Sequence, residues 1–185
     1  NSINISTNFI NTSRYSGIYV DTGTSSTIEL NNITAANPAI YILAGGNYTV
    51  QHNYLYANTP SYSTTEGILY ETTATSSNNR FINNTINASG GGHGFGIQGT
   101  GQNTSIDCQG TYITGTNASG RYGIYTDDFN TTVLNCNISN FQYAIYAAGT
   151  NGFFSNNTLA STFATGSALY IGFEINGYNI FANNT

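Results

Sequence analysis

A single all-β domain, wound as a right-handed parallel β-helix of about seven or eight coils, is the architecture that these 185 residues predict. Three observations predict it: an asparagine-centred motif that recurs, a second motif between its copies, and a polar, aromatic, nearly uncharged composition. The first motif is an apolar residue, polar residues rich in asparagine, then Ile or Leu. It reads IELNNI at 28–33, VQHNYL at 50–55, FINNTI at 81–86, VLNCNI at 133–138 and FFSNNTL at 153–159.

Its closing residues are Ile10, Ile33, Leu55, Ile86, Ile113, Ile138 and Leu159, about 21 to 31 residues apart. That spacing is typical of solenoid coils. Two positions earlier stand Asn8, Asn31, Asn53, Asn84, Thr111, Cys136 and Asn157, and Asn184 starts one more copy. A tight corner between parallel strands takes a residue with φ > 0, which asparagine tolerates best after glycine. Stacked coils set one amide above the next, so the asparagines are expected to form a hydrogen-bonded ladder. Residues flanking the corner then point inward and stack in columns.

The second motif lies between those copies: SGIYV (16–20), PAIYI (38–42), EGILY (66–70), GFGIQ (94–98), YGIYT (122–126), YAIYA (143–147) and SALYI (167–171). Each repeat is therefore read as two short strands joined by turns. A small residue precedes an inward Ile or Leu, and the next residue faces out. The outward column is expected to run Tyr19, Tyr41, Leu69, Gln98, Tyr125, Tyr146 and Tyr170. Such a face suits cross-strand stacking, an interface with a neighbouring protein, or a platform for sugar rings. On this reading Tyr19, Tyr41, Tyr125, Tyr146 and Tyr170 are the interface candidates.

Composition supports strands and narrows function. Charged residues make up 6% of the chain, against roughly 25% in an ordinary globular domain. A polar, uncharged and aromatic composition is not the signature of disorder, and tyrosine and the β-branched residues suit pleated surfaces. Lysine is absent, and Arg14, Arg80 and Arg121 form no basic stripe, which argues against nucleic acid. No apolar run approaches the ~20 residues of a membrane span. The domain is read as 1–185, either whole or cut from a longer chain.

The N-x-I and GIY elements resemble the repeats of right-handed parallel β-helix proteins of the pectate-lyase-like superfamily. The segment IDCQGTYITGTNASGRYGIYTDDFNTTVLNCNISNFQYAIY (106–146) is especially similar to the β-helix repeats of archaeal surface proteins, those of methanogens included. The superfamily holds polysaccharide lyases, glycosidases, viral adhesins, copper-accessory proteins and envelope proteins. The resemblance therefore implies a fold and leaves the function open.

Catalysis is weighed on two fragments. Gly92-His93-Gly94 and Asp127-Asp128 look like parts of a polygalacturonase-like centre, but their order is reversed and the expected R-x-K is missing. His93 and the two aspartates fall at opposite ends of neighbouring strands, a poor arrangement for carboxylates flanking one glycosidic bond. A lyase reading needs Ca²⁺, for which Asp107, Asp127 and Asp128 with Arg121 nearby are the candidates. The acids elsewhere (Asp21, Glu29, Glu66, Glu71, Glu174) are scattered about one per coil. No enzyme activity and no resident cofactor are expected, and His52 is read as a stacking residue.

Cys108 and Cys136 lie about one coil apart, within disulfide reach at ~4.8 Å per coil. A bridge would mark an oxidising, extracellular setting, and two free buried thiols are the alternative. Among the many N-x-[ST] sequons, Asn87 and Asn117 are the glycosylation candidates, as residues of longer loops. The leading reading is a structural subunit of an archaeal cell-surface sheath, surface layer or filament that assembles with identical copies. The alternative is a carbohydrate-binding or polysaccharide-processing module, with cell-surface glycans as partners.

Overall fold

A computed structural model of the chain describes residues 2–58, 66–73, 76–90, 92–163, 165–171 and 178–185. Glu174 lies outside them. Strands follow one another in triplets. The first coil holds β1 (Asn4–Ser6), β2 (Phe9–Asn11) and β3 (Ile18–Val20), and the second β4 (Thr27–Glu29), β5 (Asn32–Ala35) and β6 (Ile40–Leu43). Next come β7 (Thr49–Gln51), β8 (Tyr54–Ala57) and β9 (Glu66–Thr72), then β10 (Arg80–Ile82), β11 (Thr85–Asn87) and β12 (His93–Gly99). The chain continues with β13 (Ser105–Asp107), β14 (Tyr112–Thr114) and β15 (Tyr122–Thr126), then β16 (Thr132–Leu134), β17 (Asn137–Ser139) and β18 (Tyr143–Ala147). The last elements are β19 (Phe153–Ser155), β20 (Thr158–Ala160), β21 (Ser167–Ile171) and β22 (Ile180–Ala182).

Every third strand pairs in parallel, so three sheets run the length of the molecule. Sheet A contains eight strands, from β1 to β22, and sheets B and C contain seven each, from β2 to β20 and from β3 to β21. The fold is thus an all-β parallel β-helix, without a helix among the described residues. Eight strands in sheet A and seven in each of sheets B and C mark seven coils and the opening strand of another.

The sequence suggested two strands per coil where the structure has three. FINNTI shows why. Phe81 and Ile82 belong to β10, Thr85 and Ile86 to β11, and the two asparagines make the corner between them. Strands of three residues are too short to show an alternation in sequence.

The corner also divides two jobs that the sequence assigned to one asparagine. Leu30, His52, Asn83, Asn135, Asn156 and Asn183 take positive φ, between 52° and 56°. The following residue (Asn31, Asn53, Asn84, Cys136, Asn157 or Asn184) starts the inward ladder. A second corner, ahead of sheet A, uses the same device at Ser25, Asn47, Asn78, Asn103, Asn130 and Asn151. Its signal in the sequence is an asparagine three residues before an inward apolar one (NYTV, NTSI, NTTV), which coincides with an N-x-[ST] sequon.

Three apolar columns fill the interior. Sheet A stacks Ile5, Ile28, Val50, Phe81, Ile106, Val133, Phe154 and Phe181 in register. Sheet B stacks Ile10, Ile33, Leu55, Ile86, Ile113, Ile138 and Leu159, the closing residues of the first motif. Sheet C stacks Ile18, Ile40, Ile68, Phe95, Ile124, Ile145 and Leu169. Away from the two ends these side chains are buried, and each stabilises the fold by about 1.5–3 kcal/mol through removal from water. Ile5, Ile10, Leu159, Leu169 and Phe181 are only partly buried, at the ends of the columns.

The ladder lies beside that core. Asn31 Oδ1 accepts from both the backbone N and Nδ2 of Asn8, each at 3.0 Å. Asn53 Oδ1 serves Asn31 in the same way, and Asn84 Oδ1 serves Asn53. After Asn84 the pattern breaks. Four residues, 108–111, join β13 to β14, where two suffice in the neighbouring coils. Here Cys108 is bonded to Cys136, with Cα atoms 4.8 Å apart. A covalent clip thus stands where an amide rung is missing. The ladder resumes when Cys136 N donates to Asn157 Oδ1, and Asn157 in turn donates to Asn184 Oδ1.

Candidate functional site

The outer face of sheet C carries a run of tyrosines. Tyr19 pairs with Tyr41, and Tyr125, Tyr146 and Tyr170 follow one another in register. Between the two groups stand Leu69 and Gly96. Gly96 occupies the position expected for Gln98, which pairs instead with Glu71. GFGIQ contains two small–apolar pairs, Gly94-Phe95 and Gly96-Ile97, and both fit the motif. Packing selects the first: Phe95 enters the core column with its ring edge-on to Phe81, centroids 4.7 Å apart.

In the second group the rings stack. Tyr125 and Tyr146 lie 5.4 Å apart at 25°, and Tyr146 and Tyr170 lie 4.6 Å apart at 19°. A second column that the sequence reading missed runs beside it, formed by the residue just before each small one. There His93 stacks on Tyr122 at 4.8 Å and 8°, and Tyr122 on Tyr143 at 5.5 Å and 23°. Each such pair adds about 0.5–1.5 kcal/mol beyond its burial.

Two hollows interrupt this face. One, of about 470 Å³, is bordered by Tyr15, Tyr19, Pro38, Tyr41, Leu69 and Glu71, among others. The other, of about 180 Å³, lies over Gly96 and is lined by His93, Gln98, Tyr122 and Tyr125. The absent side chain at Gly96 is what opens the second one.

Glu66 and His93 are neighbours in register at the margin of this face. Glu66 is buried, and its Oε2 has no hydrogen-bond partner among the described residues. Burial pushes its carboxyl up to about 8, partly opposed by the Arg121 guanidinium. Burial, with a smaller contribution from Arg121, holds the His93 imidazole down at about 4. The Tyr122 backbone N–H donates to His93 Nδ1 at 3.0 Å, which leaves the ring proton on Nε2. At neutral pH this pair is therefore uncharged.

A pH dependence of stability follows. The Glu66 contribution is complete below about 4.5 and is lost as pH rises through about 8, because the unfolded chain releases its proton first. The His93 contribution is present above about 6.5 and is lost as pH falls through about 4. Unfolding free energies from urea titrations are expected to fall by a few kcal/mol from pH 5 to pH 8. Glu66→Gln is expected to flatten that slope; an unchanged slope in the variant would refute the assignment.

The other candidates are spread out. Asp127 and Asp128 sit just beyond β15, where Asp127 Oδ1 accepts from Gly99 N at 2.8 Å and Oδ2 from the Tyr125 hydroxyl at 3.2 Å. Thr72 Oγ1 donates to Asp128 Oδ1 at 2.6 Å, and burial raises both carboxyls. His93 opens β12 while Gly99 closes it, so the imidazole and the aspartates stand at opposite ends of one strand. Asp107 lies at the far end of a sheet A strand, where its Oδ1 accepts from Gln109 N and Asn135 Nδ2. Among the described residues no three His, Cys, Asp or Glu side chains gather as a metal site.

His52 is a left-handed corner residue whose Nδ1 lies 3.1 Å from Asn83 Nδ2. Asn87 belongs to β11 and not to a loop, and Asn117 Nδ2 is engaged by Thr162 Oγ1. Among the described residues no helix is long and apolar enough to cross a membrane. Comparison with protein-family models, with curated proteins and with solved structures finds no match.

Proposed function

We propose that the chain is a structural subunit of an extracellular cell-envelope assembly, a sheath, surface layer or filament of the archaeal kind its repeats resemble, built by stacking β-helices. The observation that carries this reading is the polarity of the asparagine ladder. Asn8 spends its backbone N–H and Nδ2 on Asn31, which leaves its own Oδ1 as an acceptor. Asn184 spends its Oδ1 on Asn157 and its Nδ2 on the Phe154 carbonyl, which leaves its backbone N–H as a donor. The ladder runs in one direction throughout, so a further coil of the same kind, from this protein or from a second copy, would continue it. Contacts of this head-to-tail type propagate into filaments or close into rings. The partly buried Ile5, Ile10, Leu159 and Phe181 would complete their columns in the same step.

Sedimentation velocity of the purified chain tests this. Concentration-dependent polymers are expected, and Asn8→Lys together with Asn184→Lys is expected to disperse them by placing charges across the joint. A single monomeric species at every concentration would overturn the proposal.

A second reading, a carbohydrate-binding module that engages surface glycans, is favoured by the two hollows on the tyrosine face of sheet C. Aromatic faces stack on sugar rings, and the hollow over Gly96 adds the polar tips of Gln98 and His93. A glycan array separates the readings, because assembly alone predicts no glycan signal.

A further inference from the structure

The larger hollow has a chemistry of its own. Tyr19 and Tyr41 meet at a centroid distance of 5.1 Å and an interplanar angle of 72°, so their faces form two walls at a corner. Tyr15, 74% exposed, adds a third ring, and Leu69 and Pro38 add apolar surface. Glu71 is the one carboxylate on the lining, and no Arg or His joins it among the described residues. Burial, and after it the neighbouring Glu71 carboxylate, push the Tyr41 phenol up to about 12. Ring faces present negative potential and attract a weakly hydrated cation, above all a quaternary ammonium. A carboxylate beside them supplies the counter-charge, while the chain as a whole carries a net charge of −5.

We infer that this hollow binds a small molecule bearing a trimethylammonium group, held by Tyr15, Tyr19 and Tyr41 and neutralised by Glu71. Three neighbouring rings suit a rounded, weakly hydrated head better than the flat face of a sugar. A lone aromatic wall would serve either. Glu71 also sets the limit of specificity: a phosphate attached beside the ammonium, as in a lipid headgroup, brings an anion against the carboxylate. The ligand is accordingly a free cation and not a membrane surface.

Isothermal titration calorimetry with choline chloride tests the site, using 3,3-dimethylbutan-1-ol as the uncharged molecule of the same shape. Choline is expected to bind at one saturable site, with the alcohol weaker by roughly tenfold. Glu71→Gln is expected to weaken choline by a similar factor. Tyr19→Ala should abolish binding. The Tyr19 side chain is 55% exposed, so this variant is expected to fold, and circular dichroism checks that it does. Phosphocholine is expected to bind more weakly than choline. Equal binding of the alcohol, tighter binding of phosphocholine, or no saturable binding of choline would each overturn the assignment. Because binding is read directly, the result does not depend on whether the chain assembles.

Discussion

Replacing Asn53 by alanine is expected to destabilise the protein by about 3–5 kcal/mol, far more than a typical polar-to-alanine change. Asn53 is almost fully buried and works in both directions along the coil axis. Its Oδ1 accepts two hydrogen bonds from Asn31, and its Nδ2 donates to the carbonyls of Ile28 and Gln51 and to Asn84 Oδ1. Truncation leaves the Asn31 N–H and the Ile28 carbonyl without those partners in a region closed to water. Each orphaned buried group costs about 1–3 kcal/mol. Asn8 is the built-in control: it occupies the same column but is exposed, and Asn8→Ala is expected to cost under about 1 kcal/mol, since water replaces the lost partner. Guanidinium unfolding of the two variants measures the difference. Equal, small losses would show that the ladder contributes little.

Removing the Cys108–Cys136 clip is expected to cost about 3–4 kcal/mol. The bridge closes a loop with a sequence separation of 28, and chain-entropy arithmetic gives about 3.6 kcal/mol for a loop of that size. Local bonding adds to this, because the ladder is broken at the same level. Coil pairing there otherwise rests on bonds such as Cys108 N to the Leu134 carbonyl, Gly110 N to the Asn135 carbonyl and Asn135 Nδ2 to Asp107 Oδ1. The measurement is urea unfolding of wild type and of the double variant Cys108→Ala, Cys136→Ala, each with and without reductant. Wild type is expected to fall to the level of the variant when reduced, and the variant should not respond. Amide exchange should rise first around Gly110–Tyr112 and Asn135–Cys136. A wild-type chain indifferent to reductant would refute the stabilising role of the bridge.

These two devices were legible to different depths. The closing Ile and Leu of each N-x-I motif and the small–apolar pairs of the second motif mark the interior columns of sheets B and C, because burial in a repeating coil forces the same residue type at the same place. The asparagine ladder was readable for the same reason. The division of labour inside the corner was not: one amide turns the chain at positive φ while its neighbour bonds the next coil. In NNT the two are the same residue type, whereas TNF, LNN and HNY, where Thr7, Leu30 and His52 take the turn, hint at the split.

Register on the outer face needed the tertiary structure. GFGIQ satisfies the motif twice, and the choice between Phe95 and Ile97 for the Ile68 column was made by the space beside Phe81, a residue from another sheet. That choice puts Gly96 and not Gln98 among the tyrosines and opens the smaller hollow. The larger hollow likewise gathers Tyr15 from a loop, Tyr19 and Tyr41 from two strands, and Glu71 from a third. Sequence by itself determined that this chain is a parallel coil with an asparagine seam, because a periodic core leaves a periodic text. Which side chains meet across coils of unequal length was decided only by packing, since loop length shifts register without leaving any mark in the motif.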